Sequence, residues 1–284
     1  MNGPIEGSVR PADGGPDGTP EGGTVVEVMA PAKLTLTLRI TGVRPDGYHL
    51  LESEMVSLDL ADTLYLGPGN DLSIEADGGE EVAGVPAGPD NLVSRALTAV
   101  GRTASVRLVK RIPPGAGLGG GSTDAAAVLR WAGGAGPGVA VGLGADVPFC
   151  VAGGRALVTG VGEQLAPLEY VAREFVLLLP PFGVNTAAVY RAWDLLQRRG
   201  QLPEAGSVVN ELEAPAVAVE PQLSYWKDVF AQVSGAAPQL AGSGSTWFVE
   251  GTLASLGLGQ RRFLTYGAER AWLVPVRTTP AVIA

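Results

Sequence analysis

A glycine-rich segment between residues 113 and 127 constrains this chain more than any other feature. It reads PPGAGLGGGSTDAAA, with five glycines in the seven positions 115–121, and it continues into a run of alanines. Glycine has no Cβ and tolerates positive φ, so successive backbone N–H groups can point at one anion. We expect a helix to open near Ser122, with Asp124 in its first turn, which adds free N–H donors and the positive end of a dipole. The segment therefore predicts a loop that binds phosphate.

Two familiar nucleotide-binding loops fit this segment poorly. Gly115, Gly117 and Gly120 satisfy G-x-G-x-x-G, but two prolines separate them from the preceding strand, and the next acid after Asp124 is Asp146, in another glycine-rich context. A Walker A loop ends in Gly-Lys-Ser/Thr, whereas no lysine follows the glycines here. A plain surface turn is the third interpretation, although a turn requires neither so many glycines nor a following helix.

Length and charge limit the partners of the protein. A chain of 284 residues usually forms one large or two medium domains, and we expect two. Its formal net charge is −9 and its pI is about 4.7, so nucleic acids and anionic membranes are not expected as partners. A bound nucleotide would have to be held locally. We expect a small-molecule substrate and a monomer or homodimer.

Cysteine content and hydropathy favour a cytoplasmic location. Cys150 is the sole cysteine and lies in the apolar stretch VPFCVA, which indicates a buried thiol in a reducing compartment. The sequence has no apolar run long enough to span a bilayer, and its N-terminus lacks a signal pattern. Residues 1–23 contain too few apolar side chains to order themselves, so we predict a disordered tail, with folding from Thr24 onwards.

The hydrophobic pattern predicts an α+β protein with antiparallel sheets, because strands and helices alternate without a regular βαβ rhythm. The first strand is expected to break at Pro31, and the apolar stretch 51–66 is expected to contain a turn at Ala61-Asp62. The glycine-rich connection after Trp131 suggests a truncated helix. The predicted strands are 25–28, 34–40, 72–75, 105–112, 175–179 and 246–250, and the predicted helices are 91–100, 124–131, 186–198 and 225–233.

Four segments in a characteristic order resemble the GHMP kinase superfamily. They are APAKLTLTLRITGVRPDGYHLLES from Ala30, the glycine-rich segment, LGADVPFCVAGGRALVTGVGE from Leu143 and LAGSGSTWFVE from Leu240. Within the superfamily, the stretch AKL followed by RPDGYHLLES is most similar to the kinases that act on a CDP-linked methylerythritol. The resemblance covers the chain from about Glu27 to Val249.

The resemblance implies a fold and an activity. The fold is a two-domain GHMP kinase, with a ribosomal-protein-S5-like N-terminal domain at 24–160 and a ferredoxin-like C-terminal domain at 161–284, whose last residues are free to return to the first domain. The activity is transfer of the γ-phosphoryl group of ATP, with Mg²⁺, to the 2-hydroxyl of the erythritol in the non-mevalonate route to isoprenoids. The implied ATP-binding residues are Pro114, Gly115, Ala116, Gly117, Leu118, Gly119, Gly120, Gly121, Ser122, Thr123 and Asn91, with Ser122 also a metal ligand.

Lys33 and Asp146 match the catalytic pair of the family. Phosphoryl transfer needs alignment and charge neutralisation more than covalent help, so one carboxylate and one ammonium suffice. Asp146 would accept the proton of the attacking hydroxyl or orient it, and Lys33 would stabilise the developing alkoxide. From the residues alone, Lys33 could also be a solvated strand lysine, although it is the only charge in the apolar run 28–38, and Asp146 would be read as a turn residue before Val147-Pro148.

The implied substrate-binding residues lie in three other places. Tyr48 and His49 match the pair that faces the cytosine ring, and Tyr190 matches an aromatic on its other side; all three also suit a structural role. His49 is the sole histidine, so a multi-histidine metal site is excluded. The remaining implied contacts are Gly242, Ser243 and Gly244, with Asn210 left as a structural residue and Thr35 as a substrate contact.

Thr35 is also a departure from the family, which usually has asparagine two positions after the lysine. This substitution and the short connection after Trp131 keep a second hypothesis open, a homologue that binds nucleotides without turnover. Another GHMP kinase, acting on a mevalonate-type, homoserine or sugar substrate, is a third. An oxidoreductase with a glycine loop is a fourth, and it would bind NAD.

Overall fold

The computed structural model describes residues 24–77, 84–134 and 136–281 of the chain, so the predicted tail 1–23 lies outside the described residues. The strands are β1 Val26–Thr35, β2 Arg39–Val43, β3 His49–Gly67, β4 Leu72–Ala76, β5 Ser105–Lys110, β6 Arg155–Gly160, β7 Gln164–Pro167, β8 Glu174–Leu179, β9 Gln239–Leu240, β10 Trp247–Glu250, β11 Phe263–Tyr266 and β12 Glu269–Thr279. The helices are α1 Leu92–Ala99, α2 Gly120–Trp131, α3 Pro137–Leu143, α4 Val147–Ala152, α5 Thr186–Arg198, α6 Glu213–Val219 and α7 Gln222–Ser234. Short helix α3 therefore occupies the connection after Trp131. None of the described helices has the length and hydropathy needed to cross a bilayer.

The long strand β3 organises the sheet. It pairs with β1, β2, β5, β6 and β12 along its 19 residues. The main path runs β4-β5-β3-β12-β8-β10-β9, and among the described strands only β4 and β5 pair in parallel. The predicted α+β class is confirmed. Because β12 pairs with β8 at 272–277 and with β3 at 278–279, the last strand links the two halves of the chain.

Three apolar clusters fix the helices on this sheet. In the first, α1, α2 and α4 pack on β3 and β5, and the alanines 125–127 are fully buried. In the second, α5, α6 and α7 cover β8 and β10 around Trp226 and Trp247. The third joins Leu34 and Leu58 of the first half to Phe175 and Phe248 of the second. Strand β8 alternates its side chains between the second and third clusters, so it is buried on both faces.

Strand β1 runs through Pro31, and the predicted break there is wrong. The strand continues to Thr35, and its register against β3 only shifts between Pro31 and Lys33. In the described part of the chain β1 pairs with β3 alone, so it is an edge strand that tolerates a residue without N–H. A bulge of this kind re-aims neighbouring side chains. Here it immediately precedes the lysine of the predicted catalytic pair.

The predicted turn at Ala61-Asp62 is also wrong, because β3 passes through both residues. Asp62 is fully buried, and its Oδ1 accepts hydrogen bonds from the N–H groups of Arg111 and Ile112, the latter at 2.9 Å. Its Oδ2 pairs with the ammonium of Lys110. Aspartate is unfavourable inside a strand unless it finds such donors. The contact fixes the point at which β5 delivers the chain to the glycine-rich segment.

Asp124 completes a buried ionic cluster with Lys110 and Asp62. The sequence predicts Asp124 in the first turn of α2. It lies in the second turn instead, because the helix begins at Gly120. Its Oδ2 accepts a hydrogen bond from Lys110 Nζ at 2.7 Å. Burial raises the pKa of Asp124 to about 8, with Lys110 opposing the rise and Asp62 adding to it. One ammonium faces two carboxylates, so a proton on Asp124 removes the excess negative charge.

Replacement of Asp124 by asparagine should change how stability depends on pH. The folded state binds this proton more tightly than the unfolded chain, in which the pKa is near 3.8. The proton therefore stabilises the fold fully below about pH 4, and its contribution is lost as the pH rises towards 8. Between pH 4 and pH 8, the wild type should lose about 2–4 kcal/mol of unfolding free energy relative to Asp124→Asn. Urea denaturation of both proteins without nucleotide measures this difference, and parallel pH profiles would contradict the assignment.

Candidate active site

A cavity of about 600 Å³ lies beside the predicted phosphate loop, which we call the glycine loop (residues 113–121). Every residue of this loop contributes to its lining. A volume of this size suits a small-molecule ligand. The other lining residues are Lys33, Thr35, Leu38, Leu51, Met55, Val85, Pro86, Gly88, Asp90, Asn91, Leu92, Lys110, Ile112, Ser122, Asp124, Ala145, Asp146, Thr186, Tyr190, Leu212, Gly242 and Ser243.

The glycine loop connects β5 to α2, as the sequence predicts, and the helix begins at Gly120. The first residues of α2 therefore open onto the cavity, and Ser122 lines it. A helix N-terminus carries free N–H groups and a partial positive charge. The arrangement is suited to an anion, which is what the glycine pattern predicted.

Lys33 and Asp146 meet at the wall of this cavity. Lys33 Nζ lies 3.5 Å from Asp146 Oδ2 and donates a hydrogen bond to Thr35 Oγ1 at 3.0 Å. Lys33 is 5 % exposed, and its N–H donates to the Leu118 carbonyl at 3.0 Å, which ties β1 to the glycine loop. Asp146 occupies the N-cap position of α4, yet its side chain makes no capping hydrogen bond. Its carboxylate is therefore available to the lysine and to the cavity.

A second glycine loop (residues 241–244) packs against Lys33 and against the first glycine loop. A Cβ on Gly242 would lie 3.3 Å from Lys33 Nζ and 3.7 Å from the Gly117 carbonyl oxygen. Ser243 Oγ lies 2.9 Å from Thr186 Oγ1, at the start of α5. The two glycine loops and Lys33 are thus in mutual contact, although they come from distant parts of the chain.

Asn210 holds the second glycine loop in place. Its Nδ2 donates hydrogen bonds to the carbonyls of Leu240 at 2.9 Å and Gly242 at 2.7 Å, and its Oδ1 accepts one from the N–H of Leu212. Asn210 is 5 % exposed, so water cannot readily replace these bonds. Its position supports the structural role left to it by the sequence.

Asn210→Ala should destabilise the protein and slow its reaction. Three buried backbone groups lose their partners, which should cost about 3 kcal/mol of unfolding free energy. Loss of the hydrogen bond to the Gly242 carbonyl should also lower turnover by about tenfold, because Gly242 lies beside Lys33. Chemical denaturation and steady-state kinetics measure the two effects, with the exposed Asn70→Ala as a control. Equal stability of the two variants would contradict this role.

Comparisons with known proteins point to one family. A profile of the GHMP kinases N terminal domain matches residues 91–154. The 4-diphosphocytidyl-2-C-methyl-D-erythritol kinase of Paracoccus denitrificans is 42% identical over 263 residues, which cover 86% of this chain and 93% of that protein. The chain belongs to the 4-diphosphocytidyl-2-C-methyl-D-erythritol kinases. The member from Ruegeria pomeroyi is 39% identical over 246 residues, covering 78% of this chain and 88% of that protein.

Solved structures agree with this membership. A crystal structure of a 4-(cytidine 5'-diphospho)-2C-methyl-D-erythritol kinase matches with a TM-score of 0.62 and 31% identity, covering 89% of this chain and all of that one (100%). A mevalonate kinase matches with a TM-score of 0.53 at 10% identity, covering 90% and 99%, and so shows the shared fold alone. Both the superfamily and the narrower family predicted from the sequence are confirmed.

Of the three residues predicted to hold the base, only Tyr190 lines the cavity. Its ring centroid lies 4.8 Å from that of His49. Burial, with a smaller contribution from the Asp146 carboxylate, raises the pKa of Tyr190, so its phenol stays protonated at neutral pH. His49 and Tyr48 lie outside the cavity lining, and Tyr48 is 63% exposed. His49 thus lies directly beside Tyr190, whereas Tyr48 is at the protein surface.

Three other predicted contacts have distinct positions. Asn91 lines the cavity, but its side chain caps α1 by accepting a hydrogen bond from the Val93 N–H at 2.9 Å. Thr123 is fully buried, and its hydroxyl donates to the Pro31 carbonyl at 2.6 Å, so it acts within the protein rather than in the cavity. Gly244 also lies outside the lining, where it contacts Gly117.

The structure adds residues to the site that the motifs did not assign to it. Thr186, Lys110 and Asp124 line the cavity, and Asp194 contacts His49. Thr186 and Asp194 belong to the predicted amphipathic helix 186–198, and their only signal is a position close to Tyr190. Lys110 lies between Val109 and Arg111 at the end of a strand and belongs to no motif. Contacts between side chains that are distant in sequence can be identified only when the pairing of the strands is known.

Proposed function

We propose that the protein transfers the γ-phosphoryl group of ATP to the 2-hydroxyl of 4-diphosphocytidyl-2-C-methyl-D-erythritol, as an isoprenoid-pathway kinase. The observation that carries this proposal is the Lys33–Asp146 pair, 3.5 Å apart, at the wall of a cavity bounded by two glycine loops. Membership of the family supports the substrate. We also expect a cytoplasmic location, in keeping with the single, buried Cys150.

The glycine loop would hold the phosphates. Its backbone approaches the cavity without side chains between residues 119 and 121, and the N-terminus of α2 follows directly. Backbone N–H groups and the helix dipole favour the negative charge of the triphosphate. Lys110 also lines the cavity, but its ammonium is already paired with Asp62 and Asp124. In a chain with a net charge of −9, the phosphate charge would therefore be balanced locally by the backbone N–H groups and the helix dipole.

Asp146 would receive or orient the proton of the attacking hydroxyl. Its carboxylate is a third exposed (32%) and lines the cavity, so a hydroxyl of a bound substrate can reach it. Lys33, held by Thr35 on one side and Asp146 on the other, would stabilise the alkoxide and the transferred phosphoryl group. Thr35 therefore supports Lys33, although its place in the family is usually taken by asparagine.

Mg²⁺ fits the oxygen groups of this cavity. Among the described residues no cluster of three or more His, Cys, Asp or Glu side chains could hold a metal. That is expected for Mg²⁺ in kinases, which relies mainly on substrate phosphates, water and one or two protein oxygens. The hydroxyl of Ser122, at the start of α2, would be the protein ligand. When bound, the ion supplies further neutralisation of phosphate charge.

A panel of substrates tests the proposal. ADP release should require ATP and should be at least about a hundredfold faster in kcat/KM with the CDP-linked methylerythritol than with mevalonate or homoserine. Preference for either rival would overturn the assigned substrate. ATP binding without release of ADP from any member of the panel would favour the homologue that has lost turnover.

A further inference from the structure

Asp194 of α5 holds the only histidine of the chain by a long-range contact. Its Oδ1 lies 2.8 Å from Nε2 of His49, at a sequence separation of 145 residues. The histidine side chain is 9% exposed and the aspartate side chain 33%. His49 begins β3, so the contact fixes the start of this strand to a helix of the other half of the chain.

Two aromatic rings of the same helix restrict the imidazole further. Tyr190 lies with its ring centroid 4.8 Å away, and Trp193 meets the imidazole edge-on at 5.3 Å. Positions 190, 193 and 194 share one face of α5, as i, i+3 and i+4 residues do. The imidazole is therefore held by two rings and one hydrogen bond, all from one helix, beside the cavity that Tyr190 lines.

The hydrogen bond to Asp194 decides where the proton of a neutral imidazole sits. An ionised carboxylate only accepts, so Nε2 must carry the hydrogen, and Nδ1 keeps its lone pair. We infer that Asp194 is a positioning residue that selects this tautomer of His49 and thereby makes the site prefer cytosine to uracil. This inference rests on the proposed function, which places the base of the substrate beside His49 and Tyr190.

The two bases differ at the group that such a nitrogen would meet. Cytosine carries an amino group, a donor, where uracil carries a carbonyl oxygen, an acceptor. A lone pair on Nδ1 accepts from the amino group and repels the carbonyl. To donate to uracil, the ring would have to move its proton to Nδ1 and give up the bond to Asp194. This cost should lower kcat/KM for the UDP-linked analogue by about tenfold or more.

Asparagine and alanine at position 194 separate tautomer selection from simple packing. The amide of Asp194→Asn can accept from Nε2–H or donate to Nε2, so it allows both tautomers. The variant should keep KM for the cytidine substrate near the wild-type value but raise relative activity on the uridine analogue by about tenfold. Asp194→Ala leaves the ring without a partner. It should raise KM for both substrates several-fold, with kcat little changed.

Nitrogen-15 NMR observes the tautomer directly, because His49 gives the only histidine signal in the protein. At pH 8.5, above the ordinary titration range of histidine, the free wild-type protein should show Nε2 protonated and Nδ1 unprotonated. In Asp194→Asn, the two nitrogen shifts should move towards each other, as both tautomers become populated. A wild-type ring protonated at Nδ1 would overturn the inference, whatever the enzymatic activity.

Steady-state kinetics with CDP- and UDP-linked substrates completes the test. Asp228→Asn, an exposed carboxylate on α7, controls for loss of a negative charge. A cytidine-to-uridine ratio that falls in Asp194→Asn but not in the control supports the inference, and an unchanged ratio overturns it. If the wild type phosphorylates neither substrate, the proposed function and the selectivity both fail. The spectra still decide the tautomer in that case.

Discussion

Asp146→Asn should lower turnover by a factor on the order of a hundred or more while leaving ATP binding nearly unchanged. Asparagine has nearly the same shape, but it accepts no proton, and it loses the ionic contact with Lys33 at 3.5 Å. The glycine loop, which would hold the phosphates, does not depend on this carboxylate. Single-turnover kinetics should show the loss in the chemical step, and calorimetry should show the retained affinity for ATP.

The exposed carboxylate of Asp228, on α7 and outside the cavity lining, provides the matched control. Asp228→Asn should have wild-type turnover, because it removes the same charge from the same protein at a distant place. Near-wild-type turnover in Asp146→Asn would remove this residue from the chemical step. An equal loss in both variants would point to a general effect of charge.

Gly117→Ala should lower kcat/KM by about a hundredfold or more. It should also lower the free energy of unfolding by about 3 kcal/mol or more. Gly117 has a φ of +78°, and its Cβ would overlap the Ala241 carbonyl oxygen and lie 2.9 Å from that of Gly244. Both atoms belong to backbone, which cannot swing aside as a side chain can. The two glycine loops would therefore have to separate around Lys33. Kinetics and chemical denaturation measure the two effects.

Gly133→Ala separates the steric overlap from backbone strain. Gly133 has a φ of +87°, similar to that of Gly117, but nothing lies within 4 Å of its Cβ position. The control should lose about 1–2 kcal/mol of stability and keep nearly full activity. If Gly117→Ala behaved in the same way as Gly133→Ala, close contact between the glycine loops would not be needed for function.

The parts of the fold that could be predicted are those with a local cause. The glycine loop followed by a helix, the buried strand β8 and the amphipathic helix α5 each follow from residue types close together in the sequence. The predicted break at Pro31 and the predicted turn at Ala61-Asp62 are wrong for a different reason. Pro31 is tolerated at an edge strand, and Asp62 is stabilised by donors some fifty residues later. Local propensity carries no information on either circumstance.

Only those site residues that belong to a motif could be predicted from the sequence. The family motifs predict that Lys33 and Asp146 form a pair, and their 3.5 Å contact supports this prediction. Thr123 belongs to the motif, yet its hydroxyl donates a hydrogen bond to the Pro31 carbonyl instead of lining the cavity. Asp194 had no motif, and its bond to His49 depends on how α5 docks beside β3. Contacts between elements that are distant in sequence are decided by packing, which no pattern in one chain reveals.

Phosphorus NMR of the reaction product tests the central claim most directly. Purified protein, ATP, Mg²⁺ and 4-diphosphocytidyl-2-C-methyl-D-erythritol should give ADP and one new phosphomonoester signal, and carbon–phosphorus coupling should place it on the 2-hydroxyl. The Asp146→Asn protein should form this product at least about a hundredfold more slowly. A phosphoryl group at another position, or no product from a protein that still binds ATP, would contradict the account.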